Sequence, residues 1–201
     1  MKIAILAWDS LLVNSKDMFI EKWRRNGPVL PLEFSRISED GKLIVVIDCD
    51  GGANNKVFYT ISKHQSIDNV IKEILSKEKI NYENLGVLNV ENKTGSPRIF
   101  VYDKIIIDNI TDWAKKNKID TVIWIALGRK FKDKIGIRFS SLNALNYFLS
   151  LDGKTEKLAL YYLRRVPKQI KTPTRLLLEK YNQSRSFFHK KIFKNPKFLI
   201  K

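Results

Sequence analysis

"IAILAWDSLLVN" (residues 3–14) is an apolar run that stops at Trp8-Asp9-Ser10. An unbroken apolar stretch of this length, bounded by polar residues, reads as a buried strand. A strand that delivers a carboxylate and a hydroxyl to its C-terminal end fixes the loop that follows, which is a common way to build a ligand site.

Working outward, residues 17–25 set Met18, Phe19 and Trp23 among charges, and Gly27-Pro28 with Pro31 punctuates the stretch. "LEFSRIS" (32–38) alternates in strand style, though imperfectly, and "KLIVVIDC" (42–49) is strongly apolar and β-branched. "KVFYTIS" (56–62) follows, and the turns are "EDG" (39–41) and "DGGANN" (50–55). These connections are too short for crossovers and predict an antiparallel meander of three strands.

Ser66 reads as a helix N-cap, and Ile67, Val70, Ile71, Ile74 and Leu75 repeat at helical spacing to about Lys79. "LGVLNV" (85–90) and "RIFVY" (98–102) read as strands, and residues 103–118 as a helix with Ile106, Ile107, Ile110, Trp113 and Ala114 on one face. "TVIWIAL" (121–127) is the most continuously apolar strand, which places it centrally in a sheet. From Ser140 three stretches carry helical periodicity, the last opened by Thr172 as N-cap and Pro173 at the first helical position.

The fold class is therefore α+β: a mixed, largely antiparallel sheet or partial barrel with a helical C-terminal part. Residues 1–139 form a β-rich body, 140–183 helices packed on that body, and 184–201 a basic tail that interleaves Phe187, Phe188, Phe193 and Phe198 with lysine and arginine.

The 201 residues include one cysteine, Cys49, which excludes an internal disulfide and a cysteine-rich zinc site and fits a reducing cytoplasm. Two histidines, His64 and His189, leave no histidine-based metal centre, and no cofactor is implied. Neither a signal peptide nor a membrane span is present, so a cytoplasmic protein with no membrane partner is expected. The net charge of +16 is uneven: residues 153–201 hold 14 basic and 2 acidic residues. Such a segment would attract nucleic acid or an acidic protein. Lysine and arginine neutralise phosphates while aromatics stack on unpaired bases. The same Phe and Ile residues would equally dock the tail on the body or on a second subunit of a homo-oligomer.

"IVVIDCDGG" (44–52) resembles the nucleophile motif of haloacid dehalogenase-like phosphatases, with Asp48 as nucleophile and Asp50 as acid. Those enzymes need a parallel sheet, whereas a hairpin strand follows here within a few residues, so a hairpin turn is the expected reading. Cys49 within its strand reads as a small apolar side chain. No G-x-G-x-x-G, P-loop or H-E-x-x-H occurs.

The order of these elements resembles the gamma-glutamylcyclotransferase-like superfamily: a first strand ending in aromatic-small-Ser-Leu, an apolar-polar strand, a strand ending in a Gly turn, then "KVFYTIS" and a helix. Trp8, Asp9, Ser10 and Leu11 occupy the places of its Tyr-Gly-Ser-Leu signature. "ITDWAKKNKIDTVIWIALGRKF" and "LALYYLRRVPKQIKTPTRLLLEKY" look like the corresponding parts of an uncharacterised bacterial subgroup, so the likeness covers roughly residues 1–182. The resemblance implies a loop whose amides hold a small γ-glutamyl substrate. It also implies a glutamate base that lets the substrate's own amine attack its γ-carbonyl, releasing 5-oxoproline. Such an oriented intramolecular attack needs little beyond proton removal and donors for the developing oxyanion.

Trp8, Asp9, Ser10 and Leu11 are thus the candidate substrate-binding residues. The candidate bases are Glu78, which closes the helix where the related pattern carries its acid, then Glu73, and Glu33 from the neighbouring strand. Asp9 stands where the family has glycine. It adds a Cβ and a negative charge that oppose a glutamyl α-carboxylate. Either the substrate is cationic or neutral near Asp9, or the pocket binds without catalysing and the chain is a binding module working through its basic C-terminal region.

Overall fold

The computed structural model describes residues 1–97, 99, 102 and 104–194, with side chains described through residue 183. Its four-stranded sheet runs Phe58–Ile61 (β5), Ile3–Ala7 (β1), Thr121–Ile125 (β7) and Leu85–Asn89 (β6). β1 and β7 lie parallel at the centre, with Leu6 opposite Trp124, while β5 and β6 close the two sides antiparallel.

Every residue of β1 is buried, and the alternation of a strand explains why. Ala4 and Leu6 enter a large core with Val122 and Trp124; Ile3, Ile5 and Ala7 point the other way into a smaller core with Ile123. That second core is covered by Leu11 of α1 (Leu11–Asn14) and by Val70 and Ile74 of α2 (Ile67–Glu78). Two covered faces demand an unbroken apolar run, which is what residues 3–7 supply.

The second sheet is antiparallel, ordered Leu43–Ile47 (β3), Val29–Ile37 (β2) and Ala53–Lys56 (β4). The expected three-strand meander is corrected here. "KVFYTIS" is divided at Val57, whose N–H donates to Pro28 O and whose carbonyl accepts from Gly27 N. Lys56 therefore ends β4, and residues 58–61 cross to the first sheet as β5. Ala53 to Asn55, expected as turn, pair with β2 because buried Asn55 is clamped to the chain before the last helix. Its Oδ1 accepts from Lys171 N at 2.7 Å and its Nδ2 donates to Lys171 O at 3.0 Å. The two sheets do not join into a closed barrel. The strand expected at 98–102 falls mostly outside the described residues; the amides of Ile99 and Tyr102 reach back three residues, as in a turn.

On the large-core side, α3 (Lys104–Lys116) buries Ile106, Ile110 and Ala114. α4 (Phe131–Ile135), α5 (Ser141–Leu149), α6 (Gly153–Arg165) and α7 (Pro173–Lys194) follow. Ala144, Phe148, Ala159, Tyr162, Leu163 and Leu178 place α5, α6 and α7 in the same core as both sheets. α7 starts as its sequence predicts, with Thr172 Oγ1 accepting from Arg175 N at 3.2 Å. Ser66, by contrast, makes no side-chain cap on α2. Buried Arg175 spends its guanidinium on main-chain carbonyls: Pro167 O at 2.6 Å, Ile170 O at 2.8 Å and Val166 O at 3.1 Å. Among the described residues no helix is long and apolar enough to cross a membrane.

Trp124 lies flat over Gly86, its cross-strand partner, and a Cβ on Gly86 would come within 2.2 Å of the indole. Gly86→Ala is expected to lower stability by about 1–3 kcal/mol, the usual cost of forcing extra volume into a filled core. A urea titration followed by tryptophan fluorescence reads it as a lower midpoint with an unchanged slope.

Candidate functional site at the end of the first strand

The loop after β1 is held from three directions. Trp8 is buried and its Nε1 donates to Val45 O of β3 at 3.1 Å. The Val45 amide donates to the Tyr162 hydroxyl at 3.2 Å, and that hydroxyl donates to Asp9 Oδ2 at 2.9 Å. Ser10 Oγ donates to Glu78 Oε2 at 3.2 Å, and Asn14 Nδ2 donates to Glu78 Oε1 at 3.1 Å. The strand end, the last residue of α2 and a tyrosine from α6 thus meet at one half-buried corner.

Of the three candidate bases, only Glu78 is brought to Ser10. Glu73 is engaged elsewhere: its Oε1 accepts from Phe19 N at 2.9 Å, and its Oε2 lies 3.3 Å from His64 Nε2. Glu33 is 1% exposed, with Oε1 accepting from Phe34 N at 2.6 Å and Oε2 from Thr174 N at 3.4 Å. It sits under the first turn of α7, where burial raises its pKa against the hydrogen bonds from Thr172, Phe34 and Thr174 that lower it. Its position ties β2 to the last helix.

Asp9 is the electrostatic centre of the corner. Desolvation lifts its pKa to about 7; the Tyr162 hydrogen bond opposes that, the Glu78 charge adds to it, and the amides of Leu11 and Ser10 pull it down. The loop amides expected to hold a substrate carboxylate are therefore turned toward Asp9's own. Buried Tyr162 is held protonated, its pKa raised by burial and then by the Asp9 charge. The arrangement is an acid that changes charge near neutrality beside a glutamate and two hydroxyls. Such a corner attracts an amine and repels an unpaired carboxylate.

The sign of the pH effect follows. A carboxyl whose folded pKa lies above its unfolded value contributes most below the unfolded value, and that contribution is lost as pH rises toward the folded value. The Asp9 window runs from 3.8 to about 7. Asp9→Asn, which keeps an acceptor for Tyr162, is expected to gain on the wild type by up to about 3 kcal/mol between pH 5 and pH 8. Paired denaturant titrations at those two pH values check it.

Tyr162 and Asn14 were not singled out by sequence reasoning. The signal for Tyr162 was its place on the apolar face of "LALYYLRR", with Ala159 and Leu163; all three are buried. Asp48, at the end of β3, accepts from the amides of Asp50 and Gly51 at 3.0 and 3.2 Å, the geometry of a side-chain-closed turn in an antiparallel sheet. The hairpin reading of that motif is corrected: β3 and β4 do not pair with each other but each pairs antiparallel with β2, so residues 48–52 are a turn between two strands that run the same way. Among the described residues no group of three His, Cys, Asp or Glu side chains could hold a metal ion. Comparison with known proteins finds no match: no family model, no curated protein and no solved structure resembles the chain.

Proposed function

We propose that the chain acts on a small amine-bearing compound of the γ-glutamyl type, in the manner of gamma-glutamylcyclotransferase-like proteins, with Glu78 as general base. The observation that carries this reading is the 3.2 Å contact between Ser10 and Glu78 at the end of a central strand. The substrate's free amine attacks its own γ-carbonyl carbon, and Glu78 takes the proton that nitrogen sheds. The Ser10 hydroxyl then turns to the developing oxyanion. Collapse of the tetrahedral intermediate expels the amine carried on the γ-carbonyl, which leaves with the proton Glu78 returns. The products are a five-membered lactam and a free amine.

Asp9 narrows the substrate. With the Ser10 and Leu11 amides turned to Asp9, an amine placed near Asp9 and Glu78 is favoured over a free α-carboxylate there. Purified protein incubated with a panel of γ-glutamyl amines, γ-glutamyl peptides and their α-amides tests the reading by mass spectrometry. Lactam is expected, fastest from the α-amides. No lactam from any member overturns it.

A second reading is a binding module that engages nucleic acid through its C-terminal region. It is favoured by a hollow of about 520 Å³ between α6 and α7, where Arg164, Lys168 and Lys171 stand beside Leu163 and Leu176. Filter binding to single-stranded RNA over a salt series is expected to show affinity falling steeply with salt. Undetectable binding at low salt dismisses it.

A further inference from the structure

The solvent side of α6 carries a charge pattern that α2 and α3 lack. Lys154, Lys157, Tyr161 and Arg164 follow one another at spacings of three and four, which sets them in one stripe away from the buried Ala159, Tyr162 and Leu163. All four are exposed. Lys168 and Lys171 continue the charge along the connection to α7, where with Arg164 they line the hollow of about 520 Å³ beside Leu163 and Leu176.

A lysine-rich composition alone would load every helix alike, and it does not. α2 mixes Asp68, Glu73 and Glu78 with Lys72 and Lys77, and α3 mixes Asp108 and Asp112 with Lys104, Lys115 and Lys116. Residues 152–182, in contrast, hold eight basic and three acidic residues. Two of those acids are occupied: Asp152 accepts from the amides of Lys154 and Thr155, and Glu179 Oε1 accepts from buried Arg175. The third, Glu156, lies off the stripe by the helical repeat. Among the described residues Lys154, Lys157, Arg164, Lys168 and Lys171 form no salt bridge.

Two further features fit this surface to a ligand. The connection bearing Lys168 and Lys171 is held firmly: Arg175 binds the carbonyls of Val166, Pro167 and Ile170, Asn55 clamps the Lys171 backbone, and Gln169 Nε2 donates to Lys56 O at 3.0 Å. Cations on a preorganised backbone bind an anion without an ordering cost in the main chain. The other feature is Tyr161, 57% exposed in the middle of the stripe, with the Arg165 guanidinium 4.9 Å from its ring centroid. That contact holds the ring as a platform.

We infer that this surface binds single-stranded nucleic acid, its phosphates along Lys154, Lys157, Arg164, Lys168 and Lys171 and a base stacked on Tyr161. The inference rests on the second reading above and gives it a path and a strand type. Cations that neutralise phosphates, interleaved with an exposed aromatic ring, are the combination that unpaired strands require. A duplex fits less well, because its stacked bases offer the ring no free face.

Fluorescence anisotropy on the full chain tests it, with a labelled mixed-sequence RNA oligonucleotide, its duplex with the complementary strand, and vesicles of equal parts phosphatidylcholine and phosphatidylserine. The single strand is expected to bind more tightly than the duplex. Its affinity is expected to fall with salt at a logarithmic slope of about −0.7 for each phosphate neutralised, near −3.5 for five. Arg164→Ala is expected to reduce that slope by about 0.7. Tyr161→Ala is expected to lose at least about fivefold in affinity, while Tyr161→Phe, which keeps the ring, binds like the wild type. Both positions are exposed, so melting temperatures should stay near that of the wild type. A duplex bound as tightly as the single strand, or vesicles bound while the oligonucleotide is not, overturns the inference. RNA binding that Tyr161→Ala and Arg164→Ala leave unchanged overturns it alone and keeps the second reading; no RNA binding at low salt removes both. The lactam reading is untouched in every case, because Ser10, Glu78 and Asp9 take no part.

Discussion

Glu78→Gln is expected to lower the rate of lactam formation by about 10²–10⁴-fold, the usual worth of a positioned general base. The substitution keeps the shape of the side chain and an oxygen to accept from Ser10, and removes only the capacity to take a proton. Steady-state kinetics on the best γ-glutamyl substrate should therefore show the loss in kcat with KM little changed, because the amine still binds beside Asp9. Circular dichroism should show an intact fold, since one half-buried hydrogen bond is worth roughly 1 kcal/mol. Glu73→Gln and Glu33→Gln are the controls. Glu73 is committed to Phe19 and Glu33 to Phe34 and Thr174, so their loss is expected to show in stability first. If either of them, and not Glu78→Gln, abolished turnover, the base would lie elsewhere and the corner would lose its chemistry.

The largest expected effect on stability is at Arg175. Its guanidinium donates to the carbonyls of Val166, Pro167 and Ile170 and to Glu179 Oε1 at 2.8 Å, all from a residue 4% exposed. Those carbonyls end α6 and form the connection into α7, so one side chain holds both helices on the core. Arg175→Ala leaves three acceptors without a donor in a place water reaches poorly. The expected cost is about 3–5 kcal/mol, read as a fall in the guanidinium chloride midpoint. Arg175→Lys should recover only part of it, because an ammonium cannot reproduce the planar fork that meets three carbonyls. A variant as stable as the wild type would mean that the α6–α7 connection is held by apolar contacts alone.

Much of the fold could be read from spacing. The unbroken runs at residues 3–7 and 121–125 announced strands covered on both faces, and they are the two central strands. The helical repeat from Ile67 and the Thr172-Pro173 start signal were local, and local physics suffices for them. What spacing did not reveal was which sheet a strand would join. "KVFYTIS" has one continuous pattern, yet the clamp of Asn55 on Lys171 and the pairing of Val57 with the Gly27-Pro28 loop divide it between two sheets. Those contacts come from residues far away in sequence, and no window of neighbours contains them. The same holds at the corner. Glu78 was one of three glutamates that the family resemblance offered, and only coordinates bring it to Ser10; Tyr162, which reaches Asp9 from α6, depended on how the C-terminal helices dock.

The parallel pairing of Leu6 with Trp124 has a consequence for biosynthesis. At about 5–20 residues per second of translation, roughly ten seconds separate the emergence of the two partners from the ribosome. For the later part of that interval the first strand has its antiparallel neighbour available at residues 58–61 but an open, hydrophobic seam on its other side. The nascent chain must keep that seam from other polypeptides until the late strand slides in, so lengthening the interval with slow codons before residue 121 is expected to lower the yield of folded protein.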